Sequence, residues 1–212
     1  MKHKQKITAL LIGSLLSLHL LGGDKKSISS DTSITAFEKQ SLSFMREEEK
    51  LAYDVYTLMF TKWSLMPFQN ISNSESNHMA ALKTLLDRYE LKDPAQTSGV
   101  FVNTTLQQLY QTLITKGNSS EIEALQVGAA IEEIDIRDLK EQLLQIKKED
   151  IRIVYGNLMR GSRNHLRAFV YNLSMRGITY KPQYLSQQEF DEIINSPKER
   201  GGMNGGKNNQ NQ

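Results

Sequence analysis

Glu75 and His78 stand three residues apart in a stretch whose apolar residues recur at helical spacing, so both side chains share one face, a turn apart. That face continues through Leu82, Leu85 and Leu86, which puts a carboxylate and an imidazole in line with a stripe that belongs in a core. Another stripe, Ile151, Tyr155, Leu158, Ser162, Phe169 and Leu173, has His165 in its middle. A third, Leu125, Ala129, Ile136, Leu139, Leu143 and Ile146, carries Glu132 where an apolar residue belongs. Asp135 sits beside Glu132 one turn on, and Glu133 points away toward solvent. Earlier in the chain Met45, Ala52, Tyr56 and Met59 favour Glu49, whereas Phe44, Leu51, Val55 and Leu58 favour Glu48. Spacing does not choose between those two, and Glu47 fits either edge least.

Withdrawing a carboxylate from water costs several kcal/mol unless a cation compensates, and three or four together also repel one another. Arg46, Arg163 and Arg167 are the candidates within the chain. A bound ion is the alternative, because carboxylate oxygen and imidazole nitrogen together suit iron, manganese or zinc. Beyond residue 23, His78 and His165 are the only histidines, and both fall on these inner faces. The chain has no cysteine, which excludes disulfides, a thiolate nucleophile and thiolate-bound clusters. It also has no glycine-rich phosphate loop and no serine, histidine and acid triad. With 26 basic and 24 acidic residues the net charge is +2, so no broad cationic surface awaits nucleic acid or anionic lipid.

The elements that must position these residues begin after a distinct leader. Residues 1–23 join a basic start to the apolar run Ile7 to Leu21 and a Gly-Gly pair, the layout of a secretory signal peptide. The run is shorter than the roughly 20 residues of a spanning helix, which favours cleavage, export (periplasmic, extracellular or envelope-associated) and no stable membrane span afterwards, while the bulk of Leu21 near the cut leaves an uncleaved anchor as the alternative. Lipid attachment is not expected, since Asp24 stands where a lipoprotein has cysteine.

A polar linker, 24–34, leads into a domain spanning 35–196. Its first long helix is expected from Phe37 to about Trp63, and Pro67 interrupts the pattern. The second starts at Ser72 or Ser74, whose hydroxyls suit a cap, and ends at Tyr89 or Leu91. A connection with Pro94 and Gly99 reaches a short helix, Thr105 to Lys116, closed by Gly117-Asn118 as a left-handed cap. The third long helix runs from Glu121 to about Lys147 and the fourth from Glu149 to Arg176, stopping at Gly177; Ser186 caps a last short helix to Ile194. Residues 197–212 form a Gly, Asn and Gln-rich tail expected to be disordered. Two helices, a long crossover carrying its own short helix, then two more helices is an all-α pattern, and it is the connectivity of ferritin-like four-helix bundles, although the pattern alone also fits other four-helix proteins.

The same residues resemble known motifs. Glu49-Lys-Leu-Ala52 followed by Tyr56 is similar to the first-helix ligand motif of ferritins and rubrerythrins, and this likeness selects Glu49 over Glu48. Ser-Glu75-Ser-Asn-His78-Met resembles their second-helix Glu-x-x-His, Glu132 their third-helix glutamate, and His165 the histidine of their fourth-helix Glu-x-x-His. The span from about Ser41 to Ile194 most resembles the uncharacterised ferritin-like family catalogued as domain of unknown function 2202. That likeness is carried by Arg46-Glu-Glu-Glu-Lys-Leu-Ala, Ile131-Glu-Glu-Ile-Asp-Ile-Arg-Asp-Leu139, Gly161-Ser-Arg-Asn-His-Leu-Arg-Ala-Phe169 and Pro182-Gln-Tyr-Leu-Ser186. One departure stands out: where a dinuclear site has a glutamate three before the fourth-helix histidine, this chain has Ser162, and Asp135 is the available substitute.

The resemblance implies a metal site of Glu49, Glu75, His78, Glu132, Asp135 and His165 holding iron, with two ions as the fuller form and manganese or zinc as alternatives. Glu75 and Glu132 would bridge, Glu49 and the histidines would be terminal, and Tyr53 or Tyr56 would stand close by. The function so implied is oxidoreductase-type reactivity toward dioxygen or peroxide. Two other readings compete with it: metal storage without turnover, and a metal-free bundle whose carboxylates pair with Arg163 and Arg167. Whether the chain is an enzyme, and whether it forms a homo-oligomer, the sequence leaves open.

Overall fold

A computed structural model describes residues 33–200; the expected leader, most of the linker and the Gly-rich end of the tail lie outside the described residues. Among the described residues six helices follow in order: α1 Ala36–Trp63, α2 Met66–Arg88, α3 Thr104–Gly117, α4 Glu121–Leu143, α5 Glu149–Ser174 and α6 Gln187–Asn195. The protein is all-α, with α3 in the crossover between the second and third long helices. No helix among the described residues is long and apolar enough to cross a membrane.

α1 opens with a capping box. Thr35 accepts from the Glu38 amide at 3.1 Å, and the Glu38 carboxylate accepts from the Thr35 amide at 2.9 Å. The second oxygen of Glu38 accepts the amides of Lys147 and Lys148 at 2.8 and 2.9 Å, so one carboxylate ties the start of α1 to the entry of α5. Burial pushes its pKa up, but the Thr35, Lys148 and Lys147 amides outweigh that and hold it below the ordinary 4.5. A carboxylate more acidic in the folded state contributes stability above its unfolded pKa and loses it as pH falls. We therefore expect Glu38→Gln to be less stable than the parent at pH 7, with the gap closing below about pH 4.5 in denaturant melts run across pH. A gap constant from pH 7 to pH 3 would contradict this role.

Three boundaries differ from expectation. α2 begins at Met66 rather than Ser72 or Ser74, because Pro67 lies in its first turn, where the missing amide proton costs nothing and φ is preset. Ser72 instead sits inside the helix and donates to the Gln69 carbonyl. α3 does not end in a left-handed cap: Asn118 is right-handed at φ −74°, and Gly117 is needed for space, since an added Cβ would lie 2.7 Å from Met59 Sδ. α4 stops at Leu143, four residues short, because the chain must turn for Glu38 to take the Lys147 and Lys148 amides. α5 ends close to expectation, and Gly177 at φ +73° turns the chain so that the Ile178 amide reaches the Leu173 carbonyl.

The crossover is pinned by a buried lysine. Lys50 donates to Asp54, to the carbonyls of Thr97 and Val100, and stands 4.3 Å over the Phe101 ring, while Asp54 accepts the Gly99 amide. Residues 197–200, expected to belong to the tail, run back along α5.

α1 packs most extensively on α2, and α4 on α5. The apolar residues form two clusters. One gathers Tyr56, Phe68, Ile71, Leu125, Ala129, Leu166 and Phe169; the other gathers Leu42, Met45, Leu82, Leu86, Leu139, Tyr155 and Leu158. Every long helix contributes to both. Between them, on each helix, lie residues 49, 75 and 78, 132 and 135, and 162.

Candidate metal centre

Helical periodicity fixes which residues meet in this middle layer. On α1, Glu49 falls between Met45 and Ala52; on α2, Glu75 falls between Ile71 and Leu82; on α4, Glu132 follows Ala129; on α5, Ser162 follows Leu158. All four carboxylates of the expected set are buried: Glu49 and Glu132 at 0%, Glu75 and Asp135 at 1%.

The structure brings five of the six expected residues into two groups of three that share one member. Glu49, Glu75 and His78 form the first; Glu75, Glu132 and His165 form the second. In each, one donor atom from every side chain lies within 4.8 Å of the others. Glu75 divides its oxygens between them: Oε2 is 2.7 Å from Nδ1 of His78, and Oε1 is 2.9 Å from Nδ1 of His165. The outer carboxylates complete the pattern, with Glu49 3.0 Å from His78 Nδ1 and Glu132 3.4 Å from His165 Nδ1. The imidazoles are stacked with centroids 5.7 Å apart. Of the two expected bridging residues, only Glu75 belongs to both groups.

Asp135, the substitute for the missing fourth-helix glutamate, joins neither group. Its two oxygens have no hydrogen-bond partner, and neither do those of Glu48, which is buried at 2%. Ser162 turns back to donate to the Leu158 carbonyl and offers the layer nothing. Contact with His78 singles out Glu49, where spacing left Glu48 and Glu49 open.

The charge of this layer is not met by Arg46, Arg163 or Arg167, and Arg137 acts on Glu48 only at a distance, without a hydrogen bond. Arg46 forms a two-point contact with Asp93, and Arg163 and Arg167 both bind Glu199. The competing reading in which Arg163 and Arg167 pair with the core carboxylates is thus corrected in this respect: the chain after α6 supplies their acid. What remains inside is five buried carboxylates and two imidazoles. Burial alone pushes the histidines down, yet Glu49 and Glu75 around His78, and Glu75 and Glu132 around His165, raise both well above 6.5. Burial pushes Glu75 up, but the two imidazoles outweigh it and hold this carboxyl low. Glu49 and Glu132 stay raised by burial despite their histidines. Asp135 is raised by burial and then by Glu48, Glu49, Glu132 and Glu75. Burial thus favours a proton on Glu48, Glu49, Glu132 and Asp135, and a cation seated among them would take the place of those protons.

The donor set therefore fits a small cation. One oxygen each of Glu49 and Glu132, both oxygens of Glu75 and Nδ1 of His165 are buried without a hydrogen bond, and these residues are the ones that converge. Donors about 2.0–2.2 Å from a zinc-sized ion stand roughly 3.0–3.5 Å from one another, and the histidine nitrogens lie 2.7–3.4 Å from their carboxylate oxygens, so small shifts would admit an ion.

Supporting contacts surround one group. Tyr56 donates to Glu132 at 2.6 Å, and its ring lies 5.3 Å from that of Phe169. Tyr53 is only half-buried and no hydrogen bond ties it to the cluster. Gly128 lets Phe169 approach, because a Cβ there would lie 2.4 Å from the ring.

Several acids that sequence reasoning set aside are buried and used elsewhere. Glu133, expected in solvent, is 0% exposed and accepts from Tyr180 Oη and from the amides of Gln183, Tyr184 and Leu185. Glu47 accepts the amides of Val102 and Asn103 at the start of α3. Their partners are about 50 residues away in sequence, so no local pattern announces them.

A family model described as "Uncharacterized protein domain (DUF2202)" matches residues 38–197, a span that holds the whole cluster. The chain is 51% identical to the uncharacterized protein MJ0754 of Methanocaldococcus jannaschii over 170 residues, 79% of this chain and 92% of that one. A crystal structure of hypothetical protein MJ0754 from Methanococcus jannaschii aligns with a TM-score of 0.75 at 48% identity, covering 84% of this chain and 99% of that chain.

Proposed function

The chain belongs to the uncharacterized DUF2202 domain family, and from the geometry of its middle layer we propose that it is an exported metal-binding protein whose centre holds iron, up to two ions, with oxidoreductase-type reactivity toward dioxygen or peroxide. One observation carries this reading: the two oxygens of Glu75 each face a different histidine, in two three-residue groups buried at mid-bundle. Such sharing suits a bridge between two cations better than it suits a structural ion pair, where a second unpartnered set of acids only adds cost.

Glu49 and His78 would hold one position, Glu132 and His165 the other, with Glu75 common to both. Iron there would supply one-electron redox chemistry. Tyr56 holds Glu132 by its hydroxyl hydrogen, and the Tyr56, Phe68 and Phe169 rings keep water from that side. Support for export is the layout of residues 1–23 alone.

The test is elemental analysis of natively purified protein and of His78→Ala and His165→Ala. Bound iron, manganese or zinc that falls in both variants is the expected result. Metal content unchanged in both would end the proposal.

A further inference from the structure

The two halves of the site are not equally supported. In the half containing His165, both nitrogens of the ring are engaged: Nδ1 faces Glu75 and Glu132, and Nε2 lies 3.0 Å from the Ser74 hydroxyl. Its outer carboxylate is held as well, by Tyr56 at 2.6 Å. In the half containing His78, Nδ1 faces Glu49 and Glu75, but Nε2 has no protein partner among the described residues, and Glu49 is oriented only by His78 and Glu75, members of the same group.

The unheld side of His78 is also the open side. A cleft of about 330 Å³ between α2 and α5 is lined by Asn77, His78, Asn157, Arg160, Gly161 and Glu199, among others. Gly161 forms its floor beside the ring: a Cβ there would lie 2.7 Å from both Cε1 and Nε2 of His78, against 3.7 Å from the nearest atom of His165.

Building on the metal-centre reading above, we propose that the Glu49, Glu75 and His78 half is the exchanging position, loaded and unloaded through the α2–α5 cleft, while the Glu75, Glu132 and His165 half is a retained position locked by Ser74 and Tyr56. Hydrogen bonds that orient a ligating histidine or carboxylate are typically worth 10–100-fold in metal affinity, so two such bonds on one half and none on the other separate the positions by at least that factor.

Cobalt(II) is a suitable probe, followed by its visible absorption while a chelator strips the full protein. The expected trace has two phases of equal amplitude, the slower at least about tenfold slower than the faster. Ser74→Ala should speed the slow phase about tenfold or more and leave the fast phase in place. Gly161→Ala should slow the fast phase, because its methyl group crowds the edge of His78 that faces the cleft; circular dichroism establishes that this variant folds, and Ser74→Ala decides the matter if it does not. Two cobalt ions leaving in a single phase, or Ser74→Ala acting on the fast phase, would overturn the inequality while sparing the metal-centre reading. Absence of any bound cobalt would overturn both.

Discussion

Glu75→Gln is expected to abolish metal-dependent stabilisation of this protein, at both positions together. A ligand bound only by the native state raises apparent stability by mass action, about 4 kcal/mol at a free concentration 1,000 times its Kd. For a domain of this size that corresponds to a Tm shift of roughly 8–16 °C per fully loaded position. The glutamine keeps the shape of Glu75 but withdraws the charge that both groups share, and it replaces one of two carboxylate oxygens with a nitrogen that cannot ligate. The measurement is a pair of thermal melts, with saturating metal and with chelator, on parent and variant. The parent should show the shift, and the variant should show little of it. A variant that keeps more than half of the parental shift would mean that Glu75 is not common to both positions. Loss of both positions through one residue separates this case from His165→Ala, which should leave the His78 half able to bind.

The second large effect lies outside the centre. Glu133→Ala should destabilise the fold by roughly 4 kcal/mol, because it strands the Tyr180 hydroxyl and the three amides of Gln183, Tyr184 and Leu185 at once. Hydrogen bonds to a charged acceptor are worth about 1.5–3 kcal/mol each; removing the buried carboxylate relieves its own desolvation, which brings the total below their sum. The consequence is local first, since these contacts hold the segment that delivers α6, whose Phe190 and Ile193 are buried against the bundle and whose Phe190 ring lies 5.8 Å from Tyr180. Tyr180→Phe removes a single donor and should cost about 1–2 kcal/mol. Denaturant melts of the three proteins check the order, and a Glu133→Ala variant within 1 kcal/mol of the parent would contradict it.

The contrast between Glu132 and Glu133 explains what could and could not be read from sequence. Glu132 interrupts an apolar stripe, and stripes are local objects, so its inward position was legible. The same is true of Glu75 with His78, and of His165. Glu133 was misplaced because its burial depends on a segment that returns 47–52 residues later to offer four donors. Glu38 and Glu47 follow the same rule, one serving the entry of α5 and the other the start of α3. On α1, Glu47, Glu48 and Glu49 are all buried, since that helix contacts α2, α3 and α4, and a helix enclosed on most sides has no solvent face to sort its acids. Spacing could not choose among them; the motif resemblance selects Glu49, and it is Glu49 that contacts His78.

The division of the site between hairpins has a consequence for the order of assembly. Glu49, Glu75 and His78 all belong to α1 and α2, so that triad is complete as soon as one hairpin forms. The triad of Glu75, Glu132 and His165 draws on both hairpins and exists only after they dock. An ion seated there acts as a stitch between the two halves of the chain, and its capture reports that the halves have met.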